Sequence, residues 1–128
     1  FSVQYVVATC LVRGRFGLLE LEAEALNNDE ILALAQKVEA AVDPDSLYPK
    51  YRSGGVVITT LDGREFRHHE PINRGAGERA LMAEDIEAKY CDNARLAVPE
   101  RRVREIRDAV LNIDGLAARE VAQKLAAL

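Results

Sequence analysis

The sequence has 128 residues, of which 48% are hydrophobic and 30% charged, and its formal net charge is −4. This length and apolar fraction are typical of one globular domain and exclude a disordered chain. The acidic balance, with both signs interleaved, disfavours a nucleic-acid partner, which normally meets a basic surface.

The opening segment, FSVQYVVATCLVRG, predicts a helix over residues 2–13. Apolar residues recur at helical spacing and surround much of the cylinder, so we expect cover on most sides of this helix. Gly14 suits the left-handed residue that ends a helix. The apolar run ends at Arg13, short of the roughly 20 residues of a membrane span, and its positive charges follow it, unlike those of a secretory leader. We therefore expect a cytoplasmic protein without a membrane partner.

The next segment, FGLLELEAEAL, mixes two signals. Leucine and glutamate alternate as in a strand, but glutamate, leucine and alanine favour a helix, and we expect a short helix from about Glu20. Asn27 and Glu30 have the spacing of a capping box, which predicts that a further helix begins at Asn27. KVEAAV, residues 37–42, alternates as a half-buried strand does and is predicted to be one.

The segment GVVITTLDGREFRHHEP predicts a β-hairpin at about residues 56–70. Two β-rich runs flank Asp62-Gly63, a pair favoured in a type I′ turn because both of its central residues need positive φ. A two-residue loop there places Thr59 opposite Phe66. His68 and His69 are neighbours on the second strand, so they point to opposite faces and cannot easily share a metal ion.

Three helices are predicted after the hairpin. The first spans residues 83–96, the second begins at Pro99, which suits a first helical turn, and the third spans residues 116–128. The buried stripe of the second helix is predicted to comprise four apolar residues: Val103, Ile106, Val110 and Leu111. The order of elements predicts an α+β domain in which a small antiparallel sheet packs with several helices.

Three features have a functional and a structural interpretation. The loop NRGAG, residues 73–77, resembles a phosphate cradle but lacks the spacing of a P-loop, which favours an ordinary loop. The basic run RRVREIR is interleaved with acidic residues, which favours a solvated helix face. Tyr5 lies in an apolar helix and needs a partner for its hydroxyl, either in the core or in a polar pocket.

The order of the segments closely resembles the C-terminal part of the MmgE/PrpD family. The resemblance rests on FSVQYVVATCLVRGRFGLLELEAEAL, VVITTLDGRE and RGAGERALMAEDIEAKYCDNA; it is strongest over residues 1–26 and 56–96. It implies that residues 1–128 form most of the smaller α+β domain of such an enzyme, without the large helical N-terminal domain. Relatives often have Asn-Pro where this chain has Arg79-Ala80.

The resemblance implies part of a lyase that dehydrates a small di- or tricarboxylate, such as the 2-methylcitrate of propionate metabolism, by proton transfer next to a carboxylate. It implies no metal or organic cofactor, and it implies three partners: the polycarboxylate substrate, the missing helical domain and a second copy in a homodimer. An isomerase or epimerase, a decarboxylase and a non-catalytic interaction module are the alternatives. The isolated fragment is expected to be inactive, because positioning the acid–base groups needs both domains.

Two residues are candidates for the site. Tyr5 matches a family tyrosine that lines the active site, and the resemblance implies that its hydroxyl bonds to the substrate or assists proton transfer. Arg74 is a candidate on chemistry alone, since a guanidinium binds a carboxylate through two parallel hydrogen bonds. The family's principal acid–base histidines and lysines are expected upstream of this sequence.

Overall fold

The computed structural model describes residues 2–126 and confirms the α+β class. Within the described residues, the secondary structure comprises six α-helices, a two-stranded antiparallel sheet and three short 3₁₀ turns. The chain divides into two compact units, Phe1–Asn73 and Arg74–Leu128. The first unit contains three helices and the sheet, and the second contains the other three helices.

The first helix, α1, spans Val3–Arg13, as predicted. The Ser2 side chain caps it by accepting a hydrogen bond from the Tyr5 N–H, which satisfies one of the unpaired donors of the first turn. Gly14 ends the helix in the left-handed conformation, with φ of 71°, and its N–H donates to the Cys10 carbonyl. The sequence therefore predicted both ends of α1.

A 3₁₀ turn at Leu19–Leu21 leads into α2, Ala23–Leu26, and then into α3, Asp29–Ala35. The predicted short helical stretch from about Glu20 is confirmed. The predicted cap at Asn27 is wrong by one residue, because Asn28 is the residue whose side chain accepts from the Ile31 N–H, at 3.0 Å. Asn27 is already engaged at the end of α2.

The core of the first unit lies where α1 packs on α3. Ala8 and Thr9 of α1 and Ile31 of α3 are completely buried, and Ala25 of α2 is nearly so. The opposite side of α1, which includes Val3, is exposed, so the described residues of this chain do not supply the cover expected there. One face of α1 supplies the core and the other remains accessible.

The strand predicted at residues 37–42 is not formed. After α3 the chain turns, with the Val38 N–H donating to the Ala35 carbonyl, and residues 39–42 have no regular structure. Val42 is 93% exposed. Apolar and polar residues do alternate here, but a strand also needs a neighbouring strand to which its backbone groups can hydrogen-bond. The described sheet contains only the two strands of the hairpin.

The hairpin is confirmed, with β1 at Gly54–Thr59 and β2 at Glu65–Glu70, but its predicted register is wrong by one residue. Thr59 pairs with Glu65, and Phe66 lies opposite Ile58. The loop has three residues rather than two, because the Gly63 N–H donates to the Thr60 carbonyl and Gly63 alone, not Asp62, has a positive φ. This conformation matches a type I turn followed by a left-handed glycine, and not a type I′ turn.

The second unit contains α4 at Ala83–Ala94, α5 at Glu100–Leu111 and α6 at Ala118–Ala126, and Pro99 directly precedes α5. The last two residues of the predicted final helix lie outside the described residues. None of the helices described is of a length and apolarity that would let it cross a membrane.

The buried face of α5 is centred on Val103 and Ala109. Ile106 is half-buried, but Val110 and Leu111, also predicted inward, are about half exposed. Val110 follows Val103 by two turns and stays on the same side of the helix. Its exposure therefore reflects missing cover over the C-terminal end of α5 in the described part of the second unit.

The hairpin loop supplies a direct stability test. Gly63→Ala should lower the free energy of unfolding by about 1 kcal/mol, because a left-handed φ of 81° strains any residue with a Cβ. Gly54→Ala is the matched control, since an added Cβ has open space there and φ is not left-handed. Chemical denaturation of the three proteins measures both effects; equal losses in the two variants would contradict this description of the turn.

Candidate functional site

Tyr5 borders a surface hollow of about 300 Å³ in the first unit. The hollow is lined by residues of α1 and of the segment that follows it: Ser2, Tyr5, Val6, Phe16, Leu21 and Leu26. The lining is mainly apolar, and its side-chain polar groups are two hydroxyls. Such a surface accepts an apolar group beside a hydrogen bond and supplies no positive charge to a carboxylate.

The phenol of Tyr5 is held in one orientation. Its hydroxyl donates to the main-chain carbonyl of Glu20 at 2.7 Å, and its ring meets Phe16 edge-to-face, with 6.1 Å between ring centroids. The hydroxyl hydrogen is therefore in use, whereas the oxygen retains a lone pair that can accept a hydrogen bond. To donate to a ligand, the hydroxyl must exchange the Glu20 carbonyl for that ligand.

The Glu20 carboxylate, on the same residue as that carbonyl, is 1% exposed. It accepts the Gly17 N–H at 2.8 Å and the Arg15 Nε–H at 3.2 Å, and Arg13 lies 3.7 Å away. Burial alone would raise the pKa of Glu20, but the Gly17 N–H and the Arg15 guanidinium outweigh it and hold this pKa below its usual value. The carboxylate is therefore charged and compensated at neutral pH.

Sequence reasoning did not identify Glu20 as part of a site. Its pattern of alternating leucine and glutamate indicates a solvent-facing carboxylate, and only the return of the chain after Gly14 buries it. The sequence feature that could have indicated this burial is the pair of arginines on either side of the helix-ending Gly14. Arg13 and Arg15 both lie within seven residues of Glu20.

Arg74, the other candidate, lies in the second unit, so the two candidates occur in different units. Its Nη2 lies 2.6 Å from Asp85 Oδ1, and 65% of the side chain is exposed. The hydrogen bond from Arg74 is the main cause that holds the pKa of Asp85 below its usual value. One nitrogen of the guanidinium is thus committed to an ion pair.

The other motifs are accounted for by local contacts. In the glycine loop, the Gly75 N–H donates to the Arg79 carbonyl, just beyond the loop, at 2.8 Å. Arg101 and Arg104 of the basic run pair with acidic residues on the same helix. His68 and His69 have separate carboxylate partners: Glu70 and Asp43. Among residues 2–126, no group of three metal-ligating side chains comes together.

Glu20→Gln should change how stability depends on pH. Because the pKa of Glu20 is lower in the folded chain, its stabilisation is complete above the unfolded pKa of about 4.3 and is lost as the pH falls through the folded value. We expect Glu20→Gln to lower the free energy of unfolding by about 1–3 kcal/mol at pH 7, and we expect the gap between variant and wild type to narrow as the pH falls below the unfolded pKa. Urea denaturation across this range measures the gap, with exposed Glu22→Gln as control. A gap that is constant with pH would contradict the charged assignment.

Arg74→Gln should raise the pKa of Asp85 towards its usual value, because the variant removes the main hydrogen bond that favours the ionised carboxyl. NMR titration of the side-chain carboxyl carbons measures this directly. Arg95→Gln is the matched control: it should raise the pKa of Glu100, which Arg95 lowers, and leave Asp85 unchanged. An unchanged Asp85 titration in Arg74→Gln would show that the ion pair is not formed in solution.

Comparison with known proteins places this chain in a family. The chain is 31% identical over 105 residues to a homoserine kinase of Halothermothrix orenii, an alignment that covers 82% of this chain and 32% of that protein. The chain thus spans about a third of the length of the curated relative it matches. The MmgE/PrpD C-terminal domain family matches residues 1–115, which include Tyr5, Glu20 and Arg74. The chain therefore belongs to the MmgE/PrpD C-terminal domain family.

Proposed function

We propose that this chain is part of a cofactor-independent lyase that dehydrates a small di- or tricarboxylate, such as 2-methylcitrate, and that Tyr5 borders its active site. The observation that carries the proposal is the half-buried Tyr5 phenol at the margin of a hollow, in the segment that the family match covers. A family whose members include dehydratases supports the reaction class.

The proposed reaction needs an oriented hydroxyl partner. In a dehydration, a base removes the proton next to a carboxylate, a carbon–carbon double bond forms, and the hydroxyl on the neighbouring carbon takes a proton from the Tyr5 phenol and leaves as water. The base then releases its proton to solvent, and the phenol regains one from solvent. Tyr5 bonds to that departing hydroxyl. Its oxygen first accepts from the substrate, and its O–H then exchanges the Glu20 carbonyl for the leaving oxygen.

The hollow is mainly apolar, so under this proposal the charged groups of the substrate are bound by residues outside it. A polycarboxylate carries two or three negative charges, and none of the residues that line the hollow carries a positive charge. We propose that the carboxylate contacts and the base come from a large helical domain upstream of this chain, and that the whole enzyme is a cytoplasmic homodimer. Arg74 stays a prediction from its chemistry, and any carboxylate that it bound would compete with Asp85 for the guanidinium.

Epimerisation and decarboxylation begin from related substrates and are the alternative reactions. The three reactions differ in the bonds that break: dehydration breaks a C–H and a C–O bond, epimerisation breaks a C–H bond and re-forms it on the other face, and decarboxylation breaks the C–C bond to a carboxylate, which is replaced by a proton. Product analysis separates them: dehydration yields water and an alkene, decarboxylation yields carbon dioxide, and epimerisation yields an isomer of equal mass.

The test uses the protein encoded by the complete reading frame. We expect it to dehydrate 2-methylcitrate or a related polycarboxylate, and we expect Tyr5→Phe to lower kcat about 100-fold, within the range of positioned proton-transfer groups. Tyr48→Phe is the matched control, because this tyrosine is 71% exposed and lies outside the hollow.

Three outcomes would contradict the proposal. A wild-type kcat/KM in Tyr5→Phe would show that Tyr5 has no role in the reaction. Full turnover by the 128-residue chain alone would refute the need for a second domain. Phosphorylation of homoserine by ATP, without any dehydratase activity, would favour instead the activity that the name of the Halothermothrix orenii relative describes.

A further inference from the structure

Glu20 is an unusual residue for the place it occupies. Among residues 2–126 it is the one charged residue whose side chain is fully buried, and it lies in a short 3₁₀ turn rather than in a helix or strand. Removing a carboxylate from water is strongly unfavourable, and an apolar side chain fills such a space without that penalty. A carboxylate differs from an apolar side chain because its oxygens accept directional hydrogen bonds, which hold the donor groups at defined positions.

The two ends of Glu20 act on different partners. The carboxylate end holds the Gly17 N–H and the Arg15 guanidinium, which fixes the segment that follows α1. The main-chain end presents its carbonyl to the Tyr5 hydroxyl at 2.7 Å. One residue therefore joins the segment that follows α1 to the phenol that borders the hollow.

The rest of Tyr5 is already fixed by other contacts. Its N–H donates to the Ser2 hydroxyl, and its carbonyl accepts from the Thr9 hydroxyl at 2.7 Å. Phe16 restrains the ring from one edge. With the main chain and ring held in this way, the direction of the hydroxyl is the remaining freedom, and the Glu20 carbonyl determines it.

We propose that Glu20 is a positioning residue for Tyr5: its buried carboxylate fixes the 3₁₀ turn at Leu19–Leu21 so that the carbonyl of residue 20 orients the Tyr5 hydroxyl beside the hollow. The catalytic consequence rests on the proposed function, because it requires Tyr5 to meet the substrate. The orienting contact itself does not depend on any activity.

The first test reads the phenol directly. The complete protein is labelled with 3-fluorotyrosine, and the ¹⁹F line of Tyr5 is assigned by its loss in Tyr5→Phe. We expect Glu20→Gln to shift this line towards that of free fluorotyrosine and Glu22→Gln, on the exposed side of the same segment, to leave it in place. An unshifted line in Glu20→Gln would overturn the proposal.

A second variant keeps this test decisive if Glu20→Gln does not fold. Arg15→Gln removes one partner of the carboxylate from a side chain that is largely exposed, so the fold should tolerate it. The Tyr5 line should move in the same direction as in Glu20→Gln, by a smaller amount. No movement in Arg15→Gln would count against the proposed link between the carboxylate and the phenol.

The second test separates positioning from general stability. In the complete enzyme, Glu20→Gln should lower kcat about 10-fold with little change in KM, and it should cause no further loss in a Tyr5→Phe background. Additive losses in the double variant would show that Glu20 acts independently of Tyr5 and would overturn the positioning role.

The failure of this inference and the failure of the proposed function are distinguishable. Full activity in Tyr5→Phe would overturn the proposed function and the catalytic part of this inference together, while a shifted fluorine line would still support the orienting contact. Low activity in Tyr5→Phe with wild-type activity in Glu20→Gln would overturn the catalytic part of this inference and would leave the proposed function standing.

Discussion

Burial of the Glu20 charge is the constraint on which the first unit depends. A carboxylate is stable out of water only when donors surround it, so the chain must return Arg15 and Gly17 to it within a few residues of the end of α1. Gly14 makes that return possible, since its left-handed conformation ends the helix and redirects the backbone. At Gly17, an added Cβ would lie 3.4 Å from the Glu20 Oε2 atom, which shows how closely the backbone approaches.

This constraint links the fold to the proposed chemistry. The same residue that satisfies its charge inside the protein presents a main-chain carbonyl to Tyr5, so stability and orientation arise from one local structure. The hollow beside it is mainly apolar, so under the proposed function this chain orients a hydroxyl group, and the positive charges that a polycarboxylate needs come from elsewhere in the enzyme. Under the proposed function, this division is the reason we expect activity from the complete protein and not from this chain alone.

Local chemistry made much of the fold predictable, and interactions distant in sequence account for the errors. The ends of α1 follow from Ser2 and Gly14, and the hairpin follows from a glycine turn between β-rich runs. The strand at residues 37–42 failed because alternation is local whereas strand pairing is not. The candidate site divides in the same way: Tyr5 was proposed from the resemblance, whereas the burial of Glu20 depends on how the backbone returns after Gly14, which the two nearby arginines alone do not determine.

Hydrogen exchange at the Gly17 amide tests the central claim most directly. Gly17 is exposed and lies between regular elements, yet its N–H donates to a buried carboxylate at 2.8 Å. Measured by NMR at neutral pH, this amide should exchange as slowly as the amides within α1, and the protection should be lost in Glu20→Ala. Exchange at the rate of an unprotected glycine in the wild-type protein would mean that Glu20 does not organise this segment.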